Sequence, residues 1–157
     1  MNVLVVCSGN ICRSPMAEAQ LRHRVAQEGH SDWFIDSAGT LGIEGSPASP
    51  AAIEAMQEVG LDISGHRSQG IRIEHLEWAD LVIGMTHAHM MELASMFPRD
   101  ATDRLVLRAF ENGPDPYADG PDLADPIGKP LRFYRSQLPI IVRCVDHLIQ
   151  HLERRVS

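Results

Sequence analysis

With 157 residues, the chain is long enough for a single domain over residues 1–157 that buries roughly 70% of the surface of the extended chain, and it is short for two domains. It has no run of about 18 apolar residues and no signal-peptide pattern, which predicts a cytoplasmic protein that does not insert into a membrane. Its formal net charge of −7 disfavours nonspecific binding to nucleic acid or to an anionic membrane, so an anionic ligand requires a local positive site.

The first predicted strand covers residues 3–6, an apolar and β-branched run that is typical of a central strand in a parallel sheet. A loop follows from Cys7, and Ser14-Pro15 predicts the start of a helix over residues 15–27. Because this loop lies between a strand and a helix N-terminus, its backbone N–H groups and the helix dipole favour a bound anion. The sequence therefore predicts an anion site with Cys7 at its entrance.

Strands and helices alternate along the rest of the chain. The predicted strands are residues 33–36, 81–85 and 105–107, and the predicted helices are residues 50–59, 74–78, 87–96 and a last helix with apolar positions from Leu138 to Leu152. Pro139 is expected to begin or kink this last helix. Residues 111–129 form a long loop, and loops of this length are usually functional or mobile. The alternation predicts an α/β fold with a parallel sheet, helices on both faces, and a ligand site at the carboxyl ends of the strands.

Three cysteines without a short-spaced metal pattern argue against a disulfide framework or a structural zinc site, and no metal or cofactor is predicted. His87 and His89 diverge on a helix, which favours solvated or capping roles over metal binding. Trp33, Trp78 and Cys144 are interpreted as packing residues.

Cys7 and Arg13 have the C-x5-R spacing that phosphate-ester chemistry on a thiolate requires. The helix N-terminus favours the thiolate of Cys7, which can attack phosphorus. The loop N–H groups can bind the nonbridging oxygens, and Arg13 can bind two of them in a bidentate geometry that a lysine cannot adopt. Ser14 is predicted to donate a hydrogen bond to the sulfur. The alternative is a buried, inert Cys7, but Gly9 and Ser14 at their spacings favour the catalytic interpretation.

The segment Cys7-Ser8-Gly9-Asn10-Ile11-Cys12-Arg13-Ser14-Pro15 resembles the signature loop of the low-molecular-weight protein tyrosine phosphatases, in particular their bacterial subgroup. Further matches are Asp36-Ser37-Ala38-Gly39-Thr40, residues 60–66, Ala79-Asp80 and Asp125-Pro126. The resemblance covers nearly the whole chain. It implies a three-layer, flavodoxin-like α/β fold with a four-stranded parallel sheet, a phosphocysteine intermediate, and a phosphorylated protein or peptide as the substrate.

Within this resemblance, Cys7 corresponds to the nucleophile and Arg13 to the residue that clamps the phosphate. The loop positions that would bind the phosphoryl group are Ser8, Gly9, Asn10, Ile11, Cys12, Arg13 and Ser14. The positions that would hold the loop and tune the thiolate are Asn10, Ser14, Ser37 and His66. The resemblance also implies that Cys12 can form a reversible disulfide with Cys7, which protects the nucleophile from irreversible oxidation; a thiol that packs the loop is the alternative.

Two Asp-Pro pairs compete for the role of the general acid that protonates the leaving group. Asp115-Pro116-Tyr117 matches the family motif better locally, whereas Asp125-Pro126-Ile127-Gly128 lies just before the last helix, as in the bacterial subgroup. The position just before the last helix favours Asp125 as the acid. Asp115 is then expected to form an ordinary turn on a solvated loop.

The walls of the pocket bear on the substrate class. Ile11 resembles the aliphatic residue of the tyrosine phosphatases, whereas protein-arginine phosphatases of the subgroup carry Thr there, so phosphotyrosine is favoured and phosphoarginine is the alternative. Ile43 and Ile127 stand where many tyrosine-specific members have aromatic residues, which predicts weaker or altered peptide specificity. Tyr117 is a further candidate wall if the long loop folds over the site.

Two other functions have less support. One group of arsenate reductases shares this fold and loop, but these enzymes relay a disulfide to cysteines on a segment after the third strand, and residues 80–100 contain no cysteine. A noncatalytic phosphate-binding module would lack the nucleophile or the acid, and candidates for both are present.

Overall fold

The computed structural model describes every residue from Met1 to Ser157. Its strands are β1 (Asn2–Cys7), β2 (Phe34–Gly39), β3 (Leu81–Gly84) and β4 (Asp103–Val106). They form one four-stranded parallel sheet in the order β2-β1-β3-β4. The helices are α1 (Arg13–Gln27), α2 (Pro50–Gln57), α3 (Ile73–Trp78), α4 (His87–Met96) and α5 (Leu131–Val156), with a 3₁₀ turn at Leu107–Phe110.

Helices cover both faces of the sheet, and β1 shows why. Val3 and Val5 belong to a core shared with α1, α2 and α5, whereas Leu4 and Val6 belong to a second core shared with α3 and α4. All four side chains are at most 1% exposed, because a central parallel strand is buried on both faces. This three-layer arrangement confirms the predicted α/β, flavodoxin-like fold class.

The strand order creates a crevice at the carboxyl end of β1. This strand pairs with β2 on one side and with β3 on the other, so that Cys7 lies opposite Gly39 and Val6 lies opposite Gly84. The helices that follow β1 and β3 pack on opposite faces of the sheet. Such a switch point is where ligands bind in open α/β sheets, and Cys7 lies there.

Several element boundaries differ from the sequence prediction by one to three residues, among them those of α1 and β4. α1 begins at Arg13 rather than at Pro15, because the first N–H groups of a helix need no intrahelical partner and proline is tolerated in the first turn. β4 ends at Val106, and Leu107 begins the 3₁₀ turn instead of ending the strand.

Pro139 lies inside α5, so the prediction that it could begin the last helix was wrong. Proline removes one backbone N–H from the helix ladder. The apolar stripe on both sides of it nevertheless packs into the core, since Leu138, Ile141 and Val145 are at most 6% exposed. Burial of a continuous stripe outweighs the local cost of one proline, because tertiary packing supplies most of the stability of a helix in a protein.

Two further predictions were wrong. The helix predicted over residues 50–59 ends before Val59, which is 52% exposed. Trp78, interpreted as a packing residue, ends a short surface helix and is 36% exposed. Trp33 is buried as predicted, and its ring stacks on His30 with the centroids 3.9 Å apart. No helix combines the length and the apolar character needed to cross a membrane.

Candidate active site

The loop between β1 and α1 forms the floor of a small hollow. Cys7 ends β1, and Arg13, which is only 4% exposed, begins α1. The hollow has a volume of about 130 Å³ and is lined by Cys7, Ser8, Gly9, Ile11, Cys12, Arg13, Leu41, Ile43, Asp125 and Ile127. The fold therefore brings together residues from three regions of the chain that the sequence analysis assigned to one site.

The sulfur of Cys7 accepts hydrogen bonds that favour its anionic form. Ser14 Oγ lies 2.9 Å from Cys7 Sγ, and the Asn10 N–H donates to the same sulfur at 3.3 Å. Because Asn10 Nδ2 donates to Ser14 Oγ at 2.8 Å, the hydroxyl proton of Ser14 is available for the sulfur. Hydrogen bonds to a charged form stabilise that form, so this geometry stabilises a thiolate.

Asn10 holds the loop in its shape. It is fully buried and has a φ of 57°, a left-handed conformation that a non-glycine residue adopts only when its surroundings enforce it. Its side-chain amide donates to Ser37 Oγ at 2.9 Å and accepts from the Gln69 N–H at 2.9 Å, while His66 Nε2 donates to its carbonyl at 2.6 Å. The predicted supporting residues Ser37 and His66 thus contact the loop through Asn10.

The guanidinium of Arg13 bridges the loop and the segment that carries Asp125. Nη1 donates to the Leu123 carbonyl at 3.0 Å, and Nη2 lies 3.4 Å from Ser8 Oγ and 3.6 Å from Asp125 Oδ2. The side chain of Arg13 is 5% exposed, whereas that of Asp125 is 48% exposed. The cation is therefore fixed at the floor of the hollow, and the carboxyl group faces solvent at its rim.

Backbone contacts fix the segment before Asp125. The Leu123 N–H donates to the Met85 carbonyl at 3.0 Å, and Leu123 is 1% exposed. The side-chain amide of Gln137 donates to the Ala124 carbonyl. The carboxyl group of Asp125 is thus carried by a segment anchored to the end of β3 and to α5.

The second Asp-Pro pair lies elsewhere. Asp115 accepts a hydrogen bond from the Tyr117 N–H at 2.9 Å, the turn expected for it on a solvated loop. Tyr117 is 87% exposed and borders a different hollow with His151 and Arg155. Tyr117 therefore does not form a wall of the site, because its loop lies beside the start of β4 and the last turns of α5 instead of over the site.

Comparison with known proteins identifies the family. Residues 2–157 match the family described as low molecular weight phosphotyrosine protein phosphatase. The chain belongs to this family. Members are cysteine-dependent hydrolases of phosphorylated proteins, which confirms the enzyme class predicted from the sequence.

Relatives of this phosphatase differ in the substrate that their names state. The probable low molecular weight protein-tyrosine-phosphatase EpsP of Ralstonia nicotianae is 39% identical over 144 residues, which cover 92% of this chain and 90% of EpsP. The protein-arginine-phosphatase of Geobacillus stearothermophilus is 35% identical over 151 residues, which cover 96% of this chain and 95% of that protein.

Solved structures of family members have the same fold. The low molecular weight protein tyrosine phosphatase from T. tengcongensis has a TM-score of 0.85 and 39% identity, covering 96% of this phosphatase and 98% of that chain. The C7S mutant of the YwlE arginine phosphatase, with a phosphorylated active-site serine, has a TM-score of 0.89 and 31% identity, with both chains fully covered.

Three residues at the phosphatase site were missed by the sequence analysis. Leu41 lines the hollow, and Tyr134 Oη lies 3.4 Å from Cys12 Sγ. His89 is buried and contacts Ser8, beyond the capping role predicted for it. Burial raises the pKa of the Cys12 thiol, so Cys12 stays protonated at neutral pH. Only the position of His89 after Thr86, a helix N-cap that directly follows β3, signalled a place near the site.

Replacing Gly39 with alanine is expected to lower kcat/KM by up to about 100-fold, since small displacements of a catalytic loop have effects of this size. A Cβ at Gly39 would lie 2.5 Å from the Ser8 carbonyl oxygen and 3.0 Å from the Asn10 nitrogen, so the phosphate loop must shift. Hydrolysis of p-nitrophenyl phosphate measures the effect. Gly65→Ala is the matched control, because a Cβ there meets nothing within 4 Å. Equal kcat/KM in the two variants would contradict the prediction.

Proposed function

We propose that this chain is a protein tyrosine phosphatase that hydrolyses phosphotyrosine in proteins or peptides through a phosphocysteine intermediate. The observation that carries the proposal is the meeting of a thiol, a guanidinium and a carboxyl group around one hollow. These groups belong to Cys7, Arg13 and Asp125. The volume of about 130 Å³ suits a phosphoryl group with the leaving group at the rim.

In the first step, the thiolate of Cys7 attacks phosphorus in line with the leaving phenol oxygen. An S–P bond forms, the P–O bond to the phenol breaks, and Asp125 gives its proton to the departing oxygen. The loop N–H groups and Arg13 bind the nonbridging oxygens and stabilise their negative charge throughout the step.

In the second step, a water molecule attacks phosphorus in the phosphocysteine. The carboxylate of Asp125 takes a proton from this water, the S–P bond breaks, and inorganic phosphate leaves. Ser14 donates a hydrogen bond to the departing sulfur, which stabilises the thiolate. Asp125 has regained its proton, so both groups are ready for the next substrate.

The rim of the hollow supports an aromatic leaving group. Ile11 and Ile43 converge above the backbone of Gly9, since a Cβ at Gly9 would meet their side chains at 3.5 Å and 3.7 Å. Ile127 is a third aliphatic residue of the lining. A phenol ring buries apolar area against such walls, whereas the N–H groups of a phosphoarginine require acceptors that aliphatic walls do not offer.

Phosphoarginine is the second candidate substrate, because one specific feature favours it. The carboxyl group of Asp125 lies at the rim, where it can pair with a guanidinium leaving group. The similarity to the protein-arginine-phosphatase of Geobacillus stearothermophilus, at 35% identity, supports the same alternative.

A direct comparison of two peptides tests the substrate. The same peptide carrying phosphotyrosine or phosphoarginine is expected to give a kcat/KM ratio of at least about 10 in favour of phosphotyrosine, since differences of this size follow from apolar contacts in a pocket. Ile11→Thr is expected to shift the ratio towards phosphoarginine. Ile73→Thr, on the surface of α3 and 40% exposed, should leave the ratio unchanged. Preference of the wild type for phosphoarginine would overturn the assignment.

An arsenate reductase function is disfavoured by the third cysteine. Cys144 lies on α5 and is fully buried, and burial raises the pKa of its thiol to about 12. A disulfide relay requires an accessible thiolate, and Cys144 meets neither condition.

The compartment follows from the same chemistry. All three cysteines are free thiols, and the proposed reaction needs a reduced Cys7. Thiols stay reduced in the cytosol, which supports a cytoplasmic location.

The reversible disulfide between Cys7 and Cys12 stays a prediction. In this structure Cys12 Sγ contacts the hydroxyl groups of Ser49 and Tyr134.

A further inference from the structure

His89 connects the phosphate loop to α4, a helix that the proposed mechanism does not use. Its residue is 2% exposed, and Nε2 lies 2.9 Å from Ser8 Oγ. The parallel pairing of β1 with β3 brings these two residues together. A buried polar ring is costly unless its nitrogens have partners, and both ring nitrogens of His89 have one.

The partners of the ring determine where its proton lies. The Thr86 N–H donates to His89 Nδ1 at 3.2 Å. Because a backbone N–H can only donate, Nδ1 is unprotonated and the neutral ring carries its proton on Nε2. Burial and then the charge of Arg13 lower the pKa of His89, which keeps the ring neutral at pH 7. The charged groups around the ring are Arg13, Glu92, Asp122 and Asp125.

The hydrogen bond from His89 constrains the hydroxyl group of Ser8. A serine hydroxyl has two lone pairs and one proton. His89 Nε2 and Arg13 Nη2 both donate to Ser8 Oγ, at 2.9 Å and 3.4 Å, so the lone pairs are occupied and the proton is directed away from both donors. Ser8 lines the same hollow as Cys7, where the phosphoryl oxygens would lie.

We propose that His89 is a positioning residue that fixes Ser8 as an acceptor from His89 and Arg13 and thereby directs the Ser8 hydroxyl proton at a bound phosphoryl oxygen. The inference rests on the phosphatase function proposed above. It links Ser8, which follows β1, to His89 on α4, which follows β3. His89 is not among the residues that line the hollow, and it acts through Ser8.

Two substitutions differ in whether they keep the hydrogen bond to Ser8. Asparagine places its side-chain oxygen near the position of Nδ1, so His89→Asn keeps the acceptor for Thr86 and loses the donor to Ser8. Glutamine places its amide nitrogen near the position of Nε2, so His89→Gln keeps the donor to Ser8, and its side-chain oxygen can accept from the Thr86 N–H as in a Thr-x-x-Gln capping box. His23→Asn, an exposed histidine on α1, is the control for both.

We expect His89→Asn to weaken binding of inorganic phosphate and to lower kcat/KM by about 5- to 10-fold, the effect of one hydrogen bond. His89→Gln should keep most of the phosphate affinity and most of the thermal stability, because it keeps the donor to Ser8 and can keep the capping box of α4. In a Ser8→Ala background, His89→Asn should have no further effect, since residues that act through one another are not additive. Calorimetry with inorganic phosphate and hydrolysis of p-nitrophenyl phosphate give the two readouts.

The reverse pattern would overturn the proposal. If His89→Gln loses phosphate affinity and His89→Asn keeps it, the hydrogen bond from residue 89 to Ser8 does not support phosphate binding. If His89→Asn lowers affinity equally with and without Ser8, the effect does not pass through Ser8. Phosphate binding does not require turnover. A wild-type protein that binds phosphate but does not hydrolyse esters would contradict the phosphatase function. The effect of His89→Asn on phosphate affinity would then still test the role of His89.

Discussion

Replacing Cys7 with serine is expected to abolish the hydrolysis of p-nitrophenyl phosphate and to leave phosphate binding in place. A serine hydroxyl is not ionised at neutral pH, so the nucleophile is lost. The loop N–H groups and the guanidinium of Arg13 are unchanged by this substitution, and they provide the affinity for the anion. Loss of a catalytic nucleophile typically lowers kcat by about 10⁴-fold or more.

Release of p-nitrophenol and calorimetry with inorganic phosphate measure these two effects of Cys7→Ser separately. Cys144→Ala is the matched control, because Cys144 is buried on α5; it should lower thermal stability and leave kcat unchanged. Turnover by Cys7→Ser within about 10-fold of the wild type would exclude the phosphocysteine pathway, since no remaining thiol of the hollow is ionised at neutral pH.

The phosphate loop was predictable because its information is local. The strand, the C-x5-R spacing and the helix start occupy one continuous segment, and an apolar β-branched run can be recognised without knowing its neighbours. The contacts of Ser14 with Cys7 and of Asn10 with Ser37 agree with that prediction in geometry. The bond from Ser14 to the sulfur was predicted from the loop itself, whereas the supporting roles of Asn10, Ser37 and His66 came from the family resemblance.

The contact between His89 and Ser8 was not predictable from local pattern. It depends on the register of β1 with β3 and on the cap that turns the His89 ring inward. From the sequence, the spacing of His87 and His89 favoured solvated or capping roles over metal binding. Long-range contacts of this kind arise from the tertiary fold, so a capping histidine and a site histidine look identical in the sequence.

The predictions for Pro139 and Tyr117 depended on related information. Local propensity predicted that Pro139 begins or kinks the last helix, and the first of these is wrong because packing of α5 against the core extends the helix through it. The direction taken by the loop that carries Tyr117 depends on contacts near His151 and Arg155, which no local signal specifies. Both residues lie in segments whose conformation is set by distant partners.

Asp125→Asn is expected to lower kcat for a phosphotyrosine peptide by about 10²- to 10⁴-fold, the usual contribution of a general acid. An amide cannot protonate the phenol oxygen or accept the proton of water. The decrease in kcat/KM, which reports the first step, should be smaller for p-nitrophenyl phosphate, because p-nitrophenolate is a better leaving group and needs less proton donation. Steady-state kinetics with leaving groups of graded basicity measure this difference as a steeper dependence of kcat/KM on leaving-group pKa.

Phosphate binding separates the proposed acid role of Asp125 from a structural one. The carboxyl group lies 3.6 Å from Arg13 Nη2, so it competes with a bound anion for that cation, and Asp125→Asn should bind inorganic phosphate as tightly as the wild type or more tightly. Asp115→Asn is the matched control and should leave kcat unchanged, since the carboxyl group of Asp115 accepts a hydrogen bond from the Tyr117 N–H of its own turn and lies outside the hollow. An equal or larger loss of kcat in Asp115→Asn would move the acid to the other Asp-Pro pair. Weaker phosphate binding by Asp125→Asn would instead indicate that the carboxyl group mainly holds Arg13 in place.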